Sequence, residues 1–508
     1  MSRVRANIIA NYLGQGWGSL MSIAFVPLYI RYLGMEAYGL IGFFAVMQAW
    51  LPLIDMGITP TLNREMARFT VGAHTAQSIR NLLRSLEVVC FSLAGLITLA
   101  VWSASGYLAR TWIRNQLLPD EVVAQTIAIF AVVLALRLCE GIYRGALVGL
   151  QQQVWLNTVS AGLATLRSIG AVLLAWGFPT IQAFFIWQGV LSLITVYVFA
   201  VKLYRSLPKT DCPASTSRRA LEEVWRFAGG MMGITFLALL LTQVDKLLLT
   251  RLLPLETFGY YALAAAIAGV IFMLVGPITQ SVYPRMVELI TMNDRERLIT
   301  IYHQSAQIVT ALTAPVVLLL VFFAKGIVFM WSGDVLLAEN AAPILSVLVV
   351  GTFLNGLMHI PYLLQIAHGW TRLTLQVNTA AVMILVPAIF WLVPFYGAVG
   401  AAWIWGVLNF GYVIVAVQLM HRRLIPSEKW RWYFADVLAP IGACLGVMLS
   451  ARVAQPDEYE NRALWLGFLI VAGGMGLVFS SLSAGLLRER LLSMINAGVL
   501  RVKQRRST

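Results

Sequence analysis

Long apolar segments separated by short polar ones recur along the whole chain. Each has about 18 or more mostly apolar residues, enough to cross about 30 Å of hydrocarbon as a helix. A membrane β-barrel would instead show segments of about ten alternating residues. The pattern predicts an all-α polytopic membrane protein with about 14 transmembrane helices. These spans are 7–30, 38–60, 85–104, 122–147, 154–177, 180–201, 227–249, 258–283, 302–324, 341–366, 372–393, 396–420, 434–451 and 464–486.

Composition and charge agree with the membrane assignment. Charged residues are 12% and hydrophobic residues 59% of the chain, with a mean hydropathy of +0.78, whereas soluble proteins are about 25% charged. The net charge of +14 comes from loops on one side, which carry 27 of the 37 lysines and arginines. That asymmetry follows the positive-inside rule, so it predicts that both termini are cytoplasmic. Nucleic acid is therefore not a predicted partner.

The sequence contains an internal repeat. The segment 29–39, YIRYLGMEAYG, recurs in a related form at 249–259, LTRLLPLETFG. A shift of 220 residues pairs Arg31 with Arg251, Leu33 with Leu253, Glu36 with Glu256, Tyr38 with Phe258 and Gly39 with Gly259. A similar match, shifted by 218, joins Ile181, Ala183, Ile186 and Trp187 to Val399, Ala401, Ile404 and Trp405. Because six spans separate the copies, the repeat predicts two lobes in parallel orientation.

The repeat sets the predicted domain organisation. Two parallel six-helix lobes occupy residues 1–203 and 227–423, and a cytoplasmic connector, 204–226, joins them. A C-terminal helix pair and a basic tail follow at 424–508 and have no counterpart in the first lobe. Cys90, Cys139 and Cys444 fall within spans and Cys212 in an inner loop, so no disulfide framework is predicted.

Span 4 contains the densest group of intramembrane charges. Arg137, Glu140 and Arg144 are spaced i, i+3 and i+7, which places them within about 60° of one another on a helix. Since a charge at the bilayer centre costs at least about 2.5 kcal/mol, the stripe must face a polar cavity or a partner. Two interpretations remain open: a self-neutralising Arg137–Glu140 pair with Arg144 reaching the interface, or a cavity wall.

Other charged residues within spans are further candidates for that cavity. Arg167 lies mid-span, ten residues from any other charge, so a cavity position is favoured. Asp245 and Lys246 are adjacent in the repeat region, where side chains diverge by about 100°, so they are not expected to pair. Asp55 is interpreted as a helix cap. Weaker candidates for substrate contact are His303, Lys325 and His359. Arg31, Glu36, Arg251 and Glu256, at the outer ends of spans 1 and 7, are candidate gate or cap residues.

Several chemistries find no support in the sequence. It contains no GxxxxGK[ST] motif for ATP and no HExxH or Cys/His cluster for a metal, so no cofactor is predicted. The outer loops are under about twenty residues, too short for an extramembrane catalytic domain, so an enzyme is not predicted. What remains is a two-lobed transporter whose cavity has unpaired positive charge in the first lobe. Its substrate should include an anion.

The residues that carry the repeat also resemble a known family. The segments DKLLLTRLLPLETFGYYALA (245–264), YLGMEAYGLIGFF to LIDMGI (32–58) and GALVGLQQQVWLN (145–157) are similar to the oligosaccharide flippases. These are the Wzx-type polysaccharide and O-antigen exporters of the multidrug/oligosaccharidyl-lipid/polysaccharide (MOP) superfamily. The resemblance covers nearly the whole chain. The fourteen spans, with an extra pair, also resemble the lipid II flippase branch.

The resemblance implies a function. Such proteins turn undecaprenyl-diphosphate-linked oligosaccharide from the inner to the outer leaflet of the bacterial cytoplasmic membrane by alternating access. Arg137, Arg144 and Arg167 would then bind the diphosphate or acidic sugars. The implied partners are this lipid-linked substrate, membrane lipid and polysaccharide polymerase or ligase machinery, with a monomer sufficient for transport. Energy would come from the membrane potential, while proton or sodium coupling through Glu140 or Asp245 is left open.

Three alternatives are weighed against this function. A cation-coupled multidrug exporter of the same superfamily would have an acidic residue in its first span, and residues 7–30 contain none. A membrane polysaccharide polymerase is disfavoured by the short outer loops. A non-transporting scaffold would need neither repeated halves nor buried arginines.

Overall fold

The computed structural model describes residues 2–210, 213–216, 236–237, 239–456 and 462–489, with the backbone alone for residues 2–9. These residues form helices joined by short turns, and no sheet occurs among them. Eleven of the helical segments are long and apolar enough to cross a membrane. The prediction of an all-α polytopic membrane protein is therefore confirmed.

The helices of the first half are α1 (Ser2–Ala24), α2 (Val26–Leu33), α3 (Met35–Ala49), α4 (Leu51–Ile54), α5 (Ile58–Thr70), α6 (Ala76–Tyr107), α7 (Asp120–Gly149), α8 (Gln153–Gly177), α9 (Ile181–Ser206) and α10 (239–252). Those of the second half are α11 (Leu255–Ala268), α12 (Val270–Thr291), α13 (Arg295–Phe322), α14 (Ala324–Ser332), α15 (Val335–Ala367), α16 (Thr371–Gly411), α17 (Val417–Leu424), α18 (Lys429–Arg431), α19 (Ala439–Val453) and α20 (Arg462–Ser483). Short π-helical or 3₁₀ turns occupy Leu108–Trp112, Tyr412–Ala416, Pro426–Glu428 and Trp432–Leu438.

Polar residues fix where several long helices begin. Thr75, Thr180, Asp294 and Asp334 each precede a helix and accept a hydrogen bond from a backbone amide three residues later. Such N-caps satisfy one of the amides that a first turn leaves without an intrahelical partner. The starts of α6, α9, α13 and α15 are thus local consequences of the sequence.

Three predicted spans differ from the structure. The predicted span 38–60 is broken after α4, where Met56 (φ 51°) and Gly57 (φ 76°) adopt the left-handed conformation and end the helix. The predicted spans 372–393 and 396–420 lie in one continuous helical segment, Thr371–Leu424. Its first part, α16, is two helices that meet at a kink at Gly397 (φ 57°, ψ −145°). The prediction of fourteen spans stays a prediction, because ten of the 23 residues of span 7 (227–249) lie outside the described residues.

The chain divides into two compact units, Met1–Gly259 and Tyr260–Thr508. In the first unit α7 is the most enclosed helix and packs against α5, α6 and α9. Leu62, Leu83, Ile142 and Phe199, from these four helices, are each at most 1% exposed and form the centre of its core. The predicted division into two six-span lobes, a connector and a helix pair stays a prediction.

In the second unit α13 is surrounded by α12, α15, α19 and α20. The last two helices pack on each other and on α13. Their contact is a small apolar cluster of Phe323, Cys444, Met448 and Trp465. The predicted spans 434–451 and 464–486 correspond to this α19–α20 pair.

Candidate functional site

A cavity of about 520 Å³ lies in the first unit, between α7 and the segment that joins α3 to α5. Its wall combines apolar side chains with four charged ones. The lining residues are Gln48, Leu51, Pro52, Leu53, Asp55, Gly57, Thr59, Pro60, Arg137, Leu138, Glu140, Gly141 and Arg144. The predicted stripe on α7 therefore faces this cavity.

Glu140 is the centre of the charged stripe. Its Oε1 lies 3.2 Å from Nη2 of Arg144, and its Oε2 lies 3.7 Å from Nη1 of Arg137. The Arg144 guanidinium also donates to Oγ of Ser160 and lies 5.7 Å from the ring of Phe199. The self-neutralising pair and the cavity wall, weighed as alternatives above, are thus both present. On one helix face, a single carboxylate thus faces two guanidinium groups.

The stripe retains unused hydrogen-bonding capacity. Nε of Arg137 and Oε2 of Glu140 are buried and have no hydrogen-bond partner. The side chains of Glu140 and Arg137 are 8% and 20% exposed, whereas that of Arg144 is 45% exposed. Because unsatisfied buried polar groups cost free energy, these atoms are suited to bind a ligand that supplies the missing partners.

Arg167 lies on α8, the neighbouring helix, and is not among the lining residues. Its Nη2 donates a long bond, 3.5 Å, to Oγ1 of Thr195, and its buried Nε has no hydrogen-bond partner. The charges of Arg137, Glu140 and Arg144 act on this guanidinium. No carboxylate forms an ion pair with Arg167 among the described residues.

Asp55 forms the opposite side of the cavity. Its carboxylate accepts hydrogen bonds from the backbone amide and the hydroxyl of Thr59, at 3.0 and 2.8 Å, so the prediction of a helix cap is confirmed. Thr59 in turn packs on α7, where a Cβ on Gly145 would lie 2.7 Å from Cγ2 of Thr59. The sequence DMGITP contains this capped turn, but nothing in it indicated that the turn faces Arg137.

The charged side chains of the cavity wall balance one another. Asp55 and Glu140 offset Arg137 and Arg144, so the four charged lining residues sum to zero. Arg167, on the neighbouring helix α8, adds one further positive charge to this region. Asp55 was interpreted only as a cap, so the sequence analysis missed its contribution to the cavity wall.

Asp245 and Lys246 do form an ion pair, which corrects the prediction that they cannot. Nζ of Lys246 lies 3.4 Å from Oδ1 of Asp245 and donates to the carbonyl of Thr242 at 2.7 Å. The rule that adjacent helical residues diverge describes their Cβ directions. The four methylenes of lysine are long enough to bend back around the helix. Neither residue lines the cavity.

Two of the four candidate gate residues, Glu36 and Arg251, contact one loop of the first unit. Glu36 is 4% exposed and accepts hydrogen bonds from three consecutive backbone amides, Gln116, Leu117 and Leu118. Arg251 stacks on the same loop, with its guanidinium 5.3 Å from the ring of Trp112. The backbone of Leu255 donates to the carbonyl of Arg114 at 2.8 Å.

The remaining candidates lie elsewhere. Arg31 is exposed and Glu256 is half-buried, so the matched pairs of the repeat do not have matched surroundings. In the second unit, Nδ1 of His359 donates to the carbonyl of Asn355, and its ring lies 5.8 Å from that of Phe272. The repeat is visible instead in two glycines. A Cβ on Gly39 would collide with the carbonyl of Leu255, and one on Gly259 would lie 2.9 Å from the carbonyl of Met35.

Comparison with known proteins gives consistent results. Residues 4–290 match the profile of a family described as polysaccharide biosynthesis protein. A Shigella flexneri protein named "Putative O-antigen transporter" is 21% identical over 412 residues, which cover 79% of this chain and 94% of that protein.

Two solved structures share the fold. A lipid II flippase MurJ in an inward closed conformation has a TM-score of 0.69 at 13% identity, covering 94% of this chain and 98% of that one. An inward-facing MATE multidrug resistance transporter of the MOP superfamily has a TM-score of 0.61 at 13% identity, covering 80% and 96%. These three relatives are named as transporters or flippases, in agreement with the prediction that the chain is not an enzyme.

Proposed function

Since this chain belongs to the polysaccharide biosynthesis protein family, we propose that it is a flippase for a lipid-linked oligosaccharide. It would turn a sugar unit attached to undecaprenyl diphosphate from the inner to the outer leaflet of a bacterial cytoplasmic membrane. The exported units would be assembled into a cell-surface polysaccharide such as O-antigen. The name of the Shigella flexneri relative supports this substrate class.

The observation that carries the proposal is the set of incompletely satisfied arginines in the first unit. Arg137 and Arg167 each have a buried Nε without a hydrogen-bond partner, and Arg137 lines the cavity. A guanidinium binds phosphate oxygens through two parallel N–H groups, with a geometry that lysine lacks. A diphosphate would supply the acceptors that these nitrogens lack.

Glu140 gives the site a means of releasing its ligand. In the structure its carboxylate forms an ion pair with Arg144 and lies 3.7 Å from Arg137. A diphosphate would compete with Glu140 for both guanidinium groups, so binding is an exchange of anions and not an addition to a free cation. Such an exchange keeps affinity moderate, which a carrier requires because it must release its substrate on the other side.

The physical task is to move sugar hydroxyls past hydrocarbon. Each polar group stripped of its hydrogen bonds costs on the order of several kcal/mol in an apolar medium, so uncatalysed flipping is slow. A polar cavity lowers that barrier while the lipid tail stays in the bilayer. An inside-negative potential favours outward movement of each negative charge by about 2.3 kcal/mol per 100 mV. The potential alone would suffice, and coupling to a proton or sodium ion through Glu140 or Asp245 stays open.

The test compares Arg137→Gln and Arg167→Gln with Arg110→Gln, an exposed arginine outside the cavity. In a strain lacking the native gene, we expect Arg137→Gln and Arg167→Gln each to lower surface polysaccharide about tenfold or more, because each loses charge-assisted hydrogen bonds. Lipid-linked oligosaccharide should accumulate on the inner leaflet. Arg110→Gln should export normally. Membrane insertion of all variants is checked by quantitative immunoblotting.

If Arg137→Gln and Arg167→Gln are both inserted in the membrane and export at the wild-type rate, the proposal is contradicted. Drug susceptibility is measured in the same strains, because a multidrug exporter would change drug resistance and leave the glycan unaffected. The glycan lost on gene deletion identifies the sugar unit, and loss of cell-wall synthesis instead would indicate a lipid II-type substrate.

A further inference from the structure

A second group of ionisable side chains lies in the second unit, away from the residues used above. It joins α13 to the chain between α17 and α19. His303 and Asp436 are both fully buried, at 0% exposure, although 133 residues separate them. Glu428 completes the group with a side chain that is 17% exposed. Buried charged groups are expensive unless they are paired, so this arrangement requires an explanation.

Both ring nitrogens of His303 face carboxylates. Nδ1 bonds Oδ2 of Asp436, and Nε2 lies 3.0 Å from Oε2 of Glu428. An ionised carboxylate can only accept hydrogen bonds, and a neutral imidazole carries one N–H and one bare nitrogen. Two such bonds therefore need two N–H groups, which only the doubly protonated ring has. The conclusion does not depend on which tautomer a neutral ring would adopt, because each of its two nitrogens faces an acceptor.

The other atoms of the carboxylates already have partners. Oδ1 of Asp436 accepts from Nε2 of Gln307 at 2.8 Å. The amide oxygen of Gln307 accepts from the backbone amides of Leu486 and Leu487, which fixes its Nε2 as the group that faces Asp436. Glu428 accepts from the hydroxyl of Ser427 and lies 3.7 Å from Arg431. All of these contacts use the carboxylates as acceptors, which suits two ionised carboxylates with the additional proton on His303.

His421 shows what a neutral histidine looks like in the same surroundings. Its Nδ1 lies 2.9 Å from the carbonyl of Val417, and its Nε2 lies 3.1 Å from the hydroxyl of Tyr302. One nitrogen thus faces an acceptor and the other a hydroxyl that can donate, which suits a ring with one proton. His421 is also fully buried. The two histidines therefore differ in their hydrogen-bond partners and not in how deeply they are buried.

We propose that His303, Asp436 and Glu428 form a proton-binding site that attaches the Pro426–Val453 segment to α13. The bound proton supplies the second N–H, so that one ring bridges both carboxylates. Loss of that proton would leave a bare nitrogen lone pair facing a carboxylate, and one of the two bridges would be lost. Glu428, the partly exposed member, is the entry point for protons from water.

The neighbouring charged and titratable side chains are compatible with a bound proton. Arg431 faces Glu428, while Lys429 acts on His421. Tyr302, whose ring is 5.3 Å from that of His303, and Tyr433, whose hydroxyl donates to Val413, are the other titratable neighbours. Among the described residues no three His, Cys, Asp or Glu side chains converge as metal ligands do. The proton is the ion that this geometry fits.

The first test is the protonation state of the ring itself. The chain has five histidines, so ¹⁵N-histidine labelling of the full-length protein in nanodiscs gives few signals. The His303 signals are assigned as those lost in His303→Gln, and the His421 signals as those lost in His421→Gln. Near neutral pH we expect both nitrogens of His303 to be protonated and His421 to have one protonated nitrogen. A singly protonated His303 would overturn the proposal.

The second test uses Glu428→Gln, which keeps the shape of a partly exposed side chain and removes its charge. The amide can donate to a bare ring nitrogen, so a ring with one proton can keep both bridges in this variant. Hydrogen exchange of residues 426–438, corrected for intrinsic rates, should show a pH-dependent opening in the wild type that is weaker or absent in Glu428→Gln. Exchange with no pH-dependent step in either protein would contradict the attachment role.

Discussion

Glu65 and Glu140 are both buried carboxylates of the first unit, but their oxygens are satisfied to different degrees. Glu65, on α5, accepts from His74 at 2.7 Å and forms ion pairs with Arg64 and Arg68. Glu140 has one oxygen without a hydrogen-bond partner. A saturated carboxylate holds its surroundings in place, whereas an unsaturated one can exchange partners. At the scale of single residues this difference separates a structural site from the candidate transport site.

Glu65 also gives a pH dependence with a defined sign. Burial favours a raised pKa for its carboxyl, but the His74 hydrogen bond and the Arg64 and Arg68 guanidinium groups outweigh burial and bring the pKa below its usual 4.5. Glu65 therefore stabilises the fold above pH 4.5, and this contribution is lost as the pH falls through the lower folded-state pKa.

We expect Glu65→Gln to lower the melting temperature in detergent at neutral pH, with a difference from wild type that shrinks below pH 4.5. Thermal unfolding followed at several pH values measures this. Glu339→Gln, which removes a half-exposed partner of Lys325, is the control and should change little at any pH. A Glu65→Gln difference that is constant with pH would show that the carboxylate charge is not involved.

The residue-scale predictions from sequence succeeded where contacts are local. The spacing of Arg137, Glu140 and Arg144 was enough to place them together, because helix geometry fixes which residues share a face. The pairing of Asp245 with Lys246 was predicted wrongly, since periodicity describes Cβ directions and not the reach of a long side chain. The His303–Asp436 contact could not be predicted, because no periodic pattern relates residues on helices so far apart in sequence.

At the scale of elements, short sequence motifs indicate where helices begin and break. They do not indicate which helices or loops contact one another. N-cap residues and Gly397 mark ends that a sequence reader can recognise. The loop after α6 is different, because it is held by Glu36, about 80 residues earlier, through three backbone amides. The sequence marked Glu36 as a matched element of the repeat, and only the structure identified the loop that it binds.

The close crossing of α3 and α11 makes a prediction about helix packing. Alanine at Gly39 would place a Cβ against the backbone carbonyl of Leu255, and alanine at Gly259 would do the same at Met35. Because a backbone atom cannot move aside as a side chain can, we expect each variant to destabilise the protein by about 1–3 kcal/mol. Gly95→Ala on α6 is the control, since a Cβ there meets nothing within 4 Å.

The stability of the three variants is compared through their melting temperatures in detergent. Gly95→Ala should be neutral or stabilising, because alanine is the better helix former. If Gly39→Ala and Gly259→Ala have the same melting temperature as Gly95→Ala, the two helices do not cross closely enough to exclude a side chain.

At the scale of the whole molecule, the fold class was predictable because hydrocarbon admits few kinds of backbone. The orientation in the membrane stays a prediction, based on the charge of the loops. It can be tested with the natural cysteines. Cys90, Cys139 and Cys444 are buried, and Cys212, which lies outside the described residues, falls in a predicted inner loop.

We expect a membrane-impermeant maleimide to label Cys212 in inside-out vesicles and not in intact cells. The reason is that the predicted inner loops carry most of the basic residues and would remain in the cytoplasm. Mass spectrometry locates the label, and Cys212→Ser is the control that should abolish it. Labelling of Cys212 in intact cells would reverse the predicted orientation.

The glycine crossing has a consequence for the history of the chain. After a duplication, two copies of a sequence are free to diverge wherever their environments are independent. At Gly39 and Gly259 they are not independent, because each glycine packs against the backbone carbonyl of the residue four positions before the other glycine. A displacement that accommodates a side chain in one copy also makes room for one in the other, so the two substitutions should be less than additive in cost. The two copies would therefore change together at this position, or not at all.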